Sequence, residues 1–470
     1  MTSATGGTGL LMVGAEMLNW SDLHPVDGRA AAGGPAPAAL MDAVLKPTDK
    51  VLVVGPHSLA LLKQVAATVS AVDILVRSAP DAEQIAATIE GRVFCGAIDR
   101  FPETGLYDVV VALDGLPRLV GPDTATLSWL DALALLKARV APRGRLLVAA
   151  ANAFGVERLL QPDVTATVPR DEDWPRDLAG SVQPPPGLKA VTAALGMPAM
   201  ACSVYPDLTE AQVALVDPTG PLTATTIART MADRFGGPAL LDPYRLAQDS
   251  VAAGLGAELA PAWYFVVGAP APKVLPAGAV PQGPGVLLEE LLLAALRIDD
   301  QAAIRRTVPA YVTWLASLDM DTAAIASADN VIVDGRSFRL FGAAEPVAGG
   351  VVGQLARFVR RSLEMGSRFP WPADPQELTA RLASMAGITV REQYFVAYSN
   401  VEPVGSAEQL ATIARLSQEL ADANERASWF ESQLDGIRRS RPYRIGHAVL
   451  NPARVILKRA RRAARSLRGR

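Results

Sequence analysis

A regular alternation of short apolar runs and helical patterns between residues 50 and 150 constrains the fold of this chain most strongly. The apolar runs lie at residues 51–54, 72–76, 92–96, 108–113 and 145–150, and helical patterns lie between them at 59–69, 81–90 and 126–140. Strands that alternate with helices predict an α/β fold with a parallel, doubly wound sheet and right-handed crossovers. Ligands bind outside the carboxyl ends of such strands, so Gly55, directly after the first run, is the first candidate for a ligand contact.

Composition and pattern divide the whole chain into segments. These are a flexible N-terminus at residues 1–35, a sheet domain at 36–270, a linker at 271–285, a mostly helical α+β block at 286–403, a coiled coil at 404–437 and a basic amphipathic tail at 438–470. Late strands at 199–205 and 263–267, around a helical insert at 223–255, extend the sheet domain. In the α+β block, Asp334-Gly335 between two apolar runs predicts a hairpin.

The predicted coiled coil rests on a strict spacing of apolar residues. Intervals of three and four alternate along Ile413, Leu416, Leu420, Ala423, Ala427, Phe430, Leu434 and Ile437. This is the heptad pattern, and it predicts a homo-oligomer; the alternative is one amphipathic helix packed on its own protein.

The charge of the chain is distributed unevenly. Residues 436–470 hold 12 lysines and arginines and no acidic residue, while the whole chain has a net charge of −3, so the remainder is acidic. Ile456, Ala460, Ala463 and Leu467 can share one face of a basic helix, which suits an anionic membrane surface. Nucleic acid is the less favoured partner, because the body is acidic and Tyr443 is the tail's only aromatic residue. A solvated tail without a partner is the third possibility.

Composition also restricts compartment and chemistry. The chain has two cysteines, its first residues lack the order of a signal peptide, and no apolar run approaches the ~18 residues of a membrane span. We therefore expect a cytoplasmic protein, peripheral at the inner face of the plasma membrane. The chain's histidines are His24, His57 and His447, so it has no His-Arg-Asp catalytic loop, and we predict no metal site.

Residues 50–268 resemble a class I S-adenosylmethionine-dependent methyltransferase. KVLVVGPHS matches the first strand and glycine loop of that family, YDVVVALDGLPRL its fourth strand, and LLKARVAPRGRLLVAAANAFGVERLL its fifth strand with the preceding helix and turn. The resemblance implies S-adenosylmethionine as cofactor and a late antiparallel strand pair. The cofactor residues that it implies are Gly55, Ser58, Arg77, Ile98, Asp99 and Asp114.

Three positions depart from that family. His57 and Leu59 stand where the family has further glycines, and the second strand ends in Arg77 instead of an acidic residue that accepts hydrogen bonds from the ribose. Arginine cannot accept a hydrogen bond, so Asp81 or Glu83 would have to replace that contact. These departures favour a protein that has the fold without the activity.

A narrower resemblance concerns methyltransferase domains of cell-surface polysaccharide synthesis. Residues 152–155 (NAFG) and 204–207 (VYPD) carry it, together with the order of methyltransferase-like domain, middle block, heptads and basic helix. It implies a methyltransferase acting on a glycan or lipid-linked glycan precursor. The alternative is a catalytically inactive pseudo-methyltransferase that serves as an oligomeric membrane adaptor.

No catalytic residue can be assigned from the sequence. Asn152 and Tyr205 lie on the expected acceptor side, but no pair of residues marks a general base. Residues 328–334 are similar to a metal-binding phosphotransferase loop, and we interpret Asp334 as a turn residue instead. A nucleic-acid methyltransferase is the weakest hypothesis, because the chain has no Asn/Asp-Pro-Pro-Tyr/Phe motif.

Overall fold

The computed structural model describes residues 9–24, 29–102, 105–121, 123–124, 127–160, 182–235, 239–367, 369, 374–390, 401 and 403–439. The chain divides into two compact units, one up to Glu408 and one from Gln409 onward. The predicted basic tail beyond Arg439 and the side chains of residues 434–439 lie outside the described part. Among the described residues no helix is both long and apolar enough to span a bilayer.

A ten-stranded sheet forms the centre of the first unit. Its strands are β1 (Leu10–Gly14), β2 (Lys50–Val54), β3 (Ala71–Val76), β4 (Arg92–Gly96), β5 (Tyr107–Ala112), β6 (Val140–Ala151), β7 (Ala199–Tyr205), β8 (Val213–Leu215), β9 (Ala262–Val267) and β10 (Val274–Leu275). They lie in the order β1-β4-β3-β2-β5-β6-β9-β7-β8-β10. The first six strands of this order are parallel, and β9 runs antiparallel between β6 and β7.

This strand order confirms the predicted fold class. From β4 to β7 the order is that of the class I methyltransferase sheet, including the late antiparallel pair that the resemblance implies. Strands β2 to β5 and the second half of β6 are largely buried on both faces, which explains their content of valine, leucine and isoleucine. The protein therefore has a Rossmann-like methyltransferase fold.

Eight helices accompany the sheet in the described residues. They are α1 (Pro35–Val44), α2 (Leu59–Thr68), α3 (Ala79–Ala86), α4 (Trp129–Lys137), α5 (Val156–Leu160), α6 (Leu188–Leu195), α7 (Pro221–Arg234) and α8 (Pro243–Ala252). Serine hydroxyls accept backbone hydrogen bonds at the start of several, and Ser128 with Asp131 makes a complete capping box on α4. Two clusters of buried apolar side chains result.

The structure differs from the sequence prediction at the N-terminus and adds detail at the helical insert. The expected flexible N-terminus contains β1, which pairs in parallel with β4 at the edge of the sheet. The insert predicted at 223–255 is helical as expected and contains two helices, the second of which is capped by Asp242 and begins at Pro243.

In its described residues, the middle block adds a small sheet and five helices to the same unit. The elements are β11 (Val286–Leu287), α9 (Leu288–Arg297), α10 (Gln301–Leu315), α11 (Met320–Ile325), β12 (Val331–Asp334), β13 (Ser337–Leu340), α12 (Gly350–Glu364) and α13 (Pro375–Met385). The hairpin of β12 and β13 is confirmed, with Gly335 at a φ of 58° in its turn. The domain boundaries proposed from the sequence stay predictions.

Helix α14 (Ser406–Arg439) covers the predicted coiled coil. Its described seam residues are exposed to solvent, with Ile413 60%, Leu420 63% and Phe430 59% accessible. The helix therefore carries an apolar stripe that has no partner within the described part of a single chain.

Candidate functional site

The six residues that the resemblance assigns to a cofactor lie at the carboxyl edge of the parallel strands. Gly55 and Ser58 follow β2, Arg77 follows β3, Ile98 and Asp99 follow β4, and Asp114 follows β5. The structure thus brings all six to one edge of the sheet, as expected. Their role in binding a cofactor stays a prediction, and their surroundings decide what the edge can do.

The loop after β2 is filled by side chains of the protein itself. Gly55 has a φ of 89°, and a Cβ there would lie 3.0 Å from Cδ2 of Leu119. The buried His57 donates from Nδ1 to the Gly55 carbonyl (3.0 Å), and its Nε2 accepts from the Leu113 amide (3.1 Å). These contacts place the proton on Nδ1, and burial lowers the pKa of the ring. His57 is therefore neutral and joins the loops after β2 and β5.

Arg77 is bound by the side-chain carboxylate of Asp22, a residue in the N-terminal part of the chain. Its Nε and one terminal nitrogen each donate to Asp22 at 2.8 Å, and the other nitrogen donates to the Val120 carbonyl at 3.2 Å. Both side chains of the pair are at most 3% exposed. Burial alone would raise the pKa of Asp22, but Arg77, together with Arg118, outweighs it and holds that pKa below its ordinary value. The pair is a bidentate, desolvated salt bridge.

Asp114 is occupied in the same way by Arg118. The guanidinium makes two bonds to the carboxylate, one of them 2.7 Å long from Nε. Its remaining donors reach main-chain carbonyls of the N-terminus, at Arg29 (2.9 Å) and Ala30 (2.8 Å). Arg118 thus holds residues 29–30 at the end of β5 by hydrogen bonds to their carbonyls.

Residues 10–24 and 29–34, here called the N-terminal segment, cross the carboxyl ends of β4, β3 and β2 in turn. The backbone bonds are Ala97 N to Gly14 O (3.1 Å), Met17 N to Arg77 O (2.7 Å), Ala79 N to Met17 O (3.0 Å), Ala32 N to Pro56 O (3.2 Å) and Ser58 N to Ala32 O (2.8 Å). Asp81 accepts from the Ser21 hydroxyl and from the amides of Asp22 and Leu23. The carboxylate that would have to replace the ribose contact is therefore already bonded within the chain.

The two residues after β4 differ from each other. Ile98 is 1% exposed and packs in the apolar core under this edge. The side chain of Asp99 is 17% exposed, and its nearest basic partner is Arg100 at 3.5 Å. Among the described residues, Oδ1 of Asp99 is buried without a hydrogen-bond partner, whereas the carboxylate of Asp114 accepts from Arg118.

S-adenosylmethionine does not fit this edge in the described conformation. The cofactor would need an open glycine loop and a carboxylate that accepts from its ribose, as the family resemblance implies. The space above Gly55 holds Leu119, and Asp22, Asp81 and Asp114 already accept bonds from arginines or from main-chain amides. The N-terminal segment satisfies the polar groups that a cofactor would use.

A pocket of about 440 Å³ opens beside the filled edge, on the side of β6, β9 and β7. Its lining includes Asp114, Trp129, Glu157, Asp207, Arg234 and Phe235. This volume lies in the ~300–1,000 Å³ range of small-molecule sites.

The charged groups of this pocket are arranged in pairs. Asp207 accepts from Nε of Arg234 at 2.8 Å, and this bond outweighs burial and lowers the pKa of Asp207. Burial raises the pKa of Glu157 to about 7, although Arg158 lies 3.8 Å away. Glu157 thus changes its charge near neutral pH.

Asn152 and Tyr205, expected on the acceptor side, make structural bonds. The Asn152 amide donates to the carbonyls of Glu258 (2.8 Å) and Ala260 (2.9 Å), and the Tyr205 hydroxyl donates to the carbonyl of Gly256. Both hold the loop that precedes β9, which leaves neither free to act as a general base.

The segment at residues 328–334 is a short 3-10 helix (Ala328–Asn330) that leads into β12. Asp329 is bonded to Arg357 and lies 3.6 Å from Arg361, and these arginines outweigh burial and lower its pKa to about 2. Asn330 donates to two main-chain carbonyls. The described residues contain no cluster of potential metal ligands.

A second pocket of about 630 Å³ lies between α8, α9 and residues 365–369. Burial, and then the charge of Glu289, raises the pKa of Glu290 in its wall to about 7. Its polar groups form no set that indicates a reaction.

Sequence reasoning missed the two residues that close the carboxyl edge. Asp22 lies in a stretch predicted to be flexible, and Arg118 lies within the matched stretch YDVVVALDGLPRL without a role assigned to it. One signal was available: a buried strand that ends in arginine needs a carboxylate partner, and Arg77 is such a residue.

Comparisons with solved structures return methyltransferase folds at low similarity. An S-adenosylmethionine-dependent methyltransferase from Geobacter sulfurreducens, solved with S-adenosyl-L-homocysteine, is 14% identical, and the match covers 51% of this chain and 87% of that one with a TM-score of 0.23. The mycolic acid cyclopropane synthase CmaA1 is 14% identical over 48% of this chain and 84% of its own (TM-score 0.25). The N-methyltransferase NodS from Bradyrhizobium japonicum WM9 is 14% identical over 37% and 86% (TM-score 0.23). No protein-family model matches the chain, and no curated protein sequence matches it.

Proposed function

We propose that this protein is a catalytically inactive pseudo-methyltransferase that serves as an oligomeric, membrane-associated adaptor in cell-surface polysaccharide synthesis. The observation that carries the proposal is the buried Asp22–Arg77 pair, which lies at the end of β3, where the family resemblance implies an acidic residue for the cofactor ribose. Displacing the N-terminal segment would leave the buried Arg77 without its carboxylate, which costs several kcal/mol, and would remove the carbonyls of residues 29–30 from Arg118. A cofactor would have to offset this cost before it gained any affinity.

The adaptor role draws on two further features. Helix α14 exposes an apolar heptad seam, which supports association between copies of the chain. The basic residues 438–470 follow it in the sequence, and their pattern suits an anionic bilayer surface. The link to polysaccharide synthesis rests on the sequence resemblance at residues 152–155 and 204–207.

Calorimetric titration of the full-length protein with S-adenosylmethionine and S-adenosylhomocysteine tests whether the protein has lost cofactor binding. We expect no binding at millimolar ligand. Micromolar binding, about 8 kcal/mol of free energy, would contradict the proposal.

The membrane role has a separate test, flotation with vesicles that contain anionic lipid. Removal of residues 454–470 should release the protein from these vesicles, while neutral vesicles should not bind the intact chain. As a matched control, a full-length variant keeps the apolar face but replaces the basic residues by glutamine, and it should also be released. The replaced residues are Lys458, Arg459, Arg461, Arg462, Arg465 and Arg468. If the truncated protein still floats, the tail is not the anchor.

A second candidate is a methyltransferase that acts on a surface glycan or lipid-linked precursor. The 440 Å³ pocket beside Asp114 favours it, because an acceptor site has no evident use in a purely structural protein. Micromolar cofactor binding in the titration, followed by methyl transfer to a lipid-linked glycan, would establish this candidate.

A further inference from the structure

The heptad seam of α14 carries charges on its flanks that distinguish two ways of pairing. With Ile413 and Leu420 at the a positions and Leu416 and Ala423 at the d positions, Arg426 takes a g position and Glu431 the following e position. Residues at e and g flank the seam of a coiled coil and set the orientation of its helices.

In a parallel, in-register pair, each g residue faces the e residue five positions further along the partner helix. Arg426 of one copy then faces Glu431 of the other, and the symmetry of the pair makes this contact twice. Within the described part of one chain Arg426 donates to the Asp422 carbonyl, and Glu431 forms no ion pair. Both side chains are exposed, so they are accessible to a partner helix.

In an antiparallel pair, g residues face g residues instead. If the seam overlaps fully, so that Ile413 lies opposite Ile437, the two copies of Arg426 face each other and repel. Glu419 cannot compensate: it faces Gln433 in this arrangement, and it already lies 3.6 Å from Arg415 of its own helix. Charge complementarity therefore favours the parallel arrangement.

We propose that α14 pairs with α14 of a second copy in a parallel, in-register coiled coil. This inference rests on the self-association in the proposed function and adds its orientation. Parallel helices end together, so the basic segments of both copies follow the coil from the same end. Two basic segments can then engage one bilayer surface at once, which strengthens binding by effective concentration without any new contact.

A cysteine placed in the seam of the full-length protein reports the orientation. Cys95 and Cys202, the only native cysteines, are both buried, so an added thiol is the only exposed one. Leu416→Cys alone should form a disulfide dimer on mild oxidation if the helices are parallel. In the antiparallel pair, Leu416 of one helix lies opposite Leu434 of the other, and the two Leu416 residues are about 27 Å apart along the helix axis. Only a mixture of Leu416→Cys and Leu434→Cys chains would then form a disulfide. Ser428→Cys, off the seam, is the matched control and should not link.

Charge reversal gives an independent readout by sedimentation equilibrium. Arg426→Glu should weaken association about tenfold, because two attractive contacts become repulsive, and Glu431→Arg in the same chain should restore it. The parallel arrangement would be overturned if Arg426→Glu self-associates as tightly as the wild type and disulfides form only in the mixture of the two cysteine variants. Self-association itself would then still hold. A wild-type chain that stays monomeric at high concentration would overturn both.

Discussion

Removing the charge of Asp22 is the most direct perturbation of the closed carboxyl edge. Asp22→Asn keeps the side-chain shape but leaves Arg77, which is 2% exposed, without a carboxylate. Breaking a buried ion pair by removing one partner costs about 3–5 kcal/mol. Arg77 keeps its bond to the Val120 carbonyl, so we expect the lower end of this range, about 3 kcal/mol. Against a total stability of ~5–15 kcal/mol this is a large loss.

Urea unfolding followed by circular dichroism measures the free energy of unfolding, and trypsin cleavage after Arg29 reports release of the N-terminal segment. The double variant Asp22→Asn/Arg77→Met should recover much of the loss, because no lone buried charge remains. The matched control is Glu364→Gln, which breaks the exposed Arg360–Glu364 pair and should cost under ~1 kcal/mol. If Asp22→Asn costs no more than this control, and cleavage is unchanged, the Asp22–Arg77 pair does not hold the N-terminal segment in place.

Two further predictions concern pH and the N-terminal segment. Burial raises the pKa values of Glu157 and Glu290 from 4.5 to about 7, so the stability that these groups contribute is complete below 4.5 and is lost as pH rises through 7. Thermal melting should show a lower Tm at pH 8 than at pH 5.5. Replacing both glutamates by glutamine should reduce this dependence of Tm on pH. A Tm that rises with pH in the parent protein would contradict the prediction. Gly34→Ala places a Cβ 2.5 Å from the Ala211 carbonyl oxygen at a φ of 108°, and it should speed proteolysis of the N-terminal segment. The control Gly187→Ala has a φ of 84° but open space around the new Cβ, and it should leave the proteolysis rate unchanged. Equal rates in the two variants would contradict a docked N-terminal segment.

The central sheet could be predicted from sequence because its signals are local. The clearest case is β2, a continuous apolar run from Val51 to Val54 followed by Gly55, and burial on both faces requires that pattern. The late strands were harder, but Trp263 and its neighbours form an apolar run of the same kind. Patterns of this sort depend on nothing outside the segment.

The closure of the carboxyl edge depends on contacts that no local pattern encodes. Asp22 and Arg77 are 55 residues apart, and a glycine-rich N-terminus has the composition of a flexible segment. Its short run Leu10–Gly14 becomes a strand only because β4 offers an unpaired edge. Sequence reasoning located the six candidate residues at the correct edge, yet it could not tell that the chain's own N-terminus bonds to several of them.

The position of β9 between β6 and β7 has a consequence for synthesis on the ribosome. β9 is made after both of its neighbours, so their facing edges stay unpaired until residues 262–267 emerge. A nascent chain that ends before Ala262 lacks Trp263, Tyr264 and Phe265, which fill both core clusters, and it exposes two strand edges that invite association with other chains. We expect the sheet to complete itself only after more than half of the chain has been translated, so N-terminal fragments that stop before β9 should aggregate instead of folding.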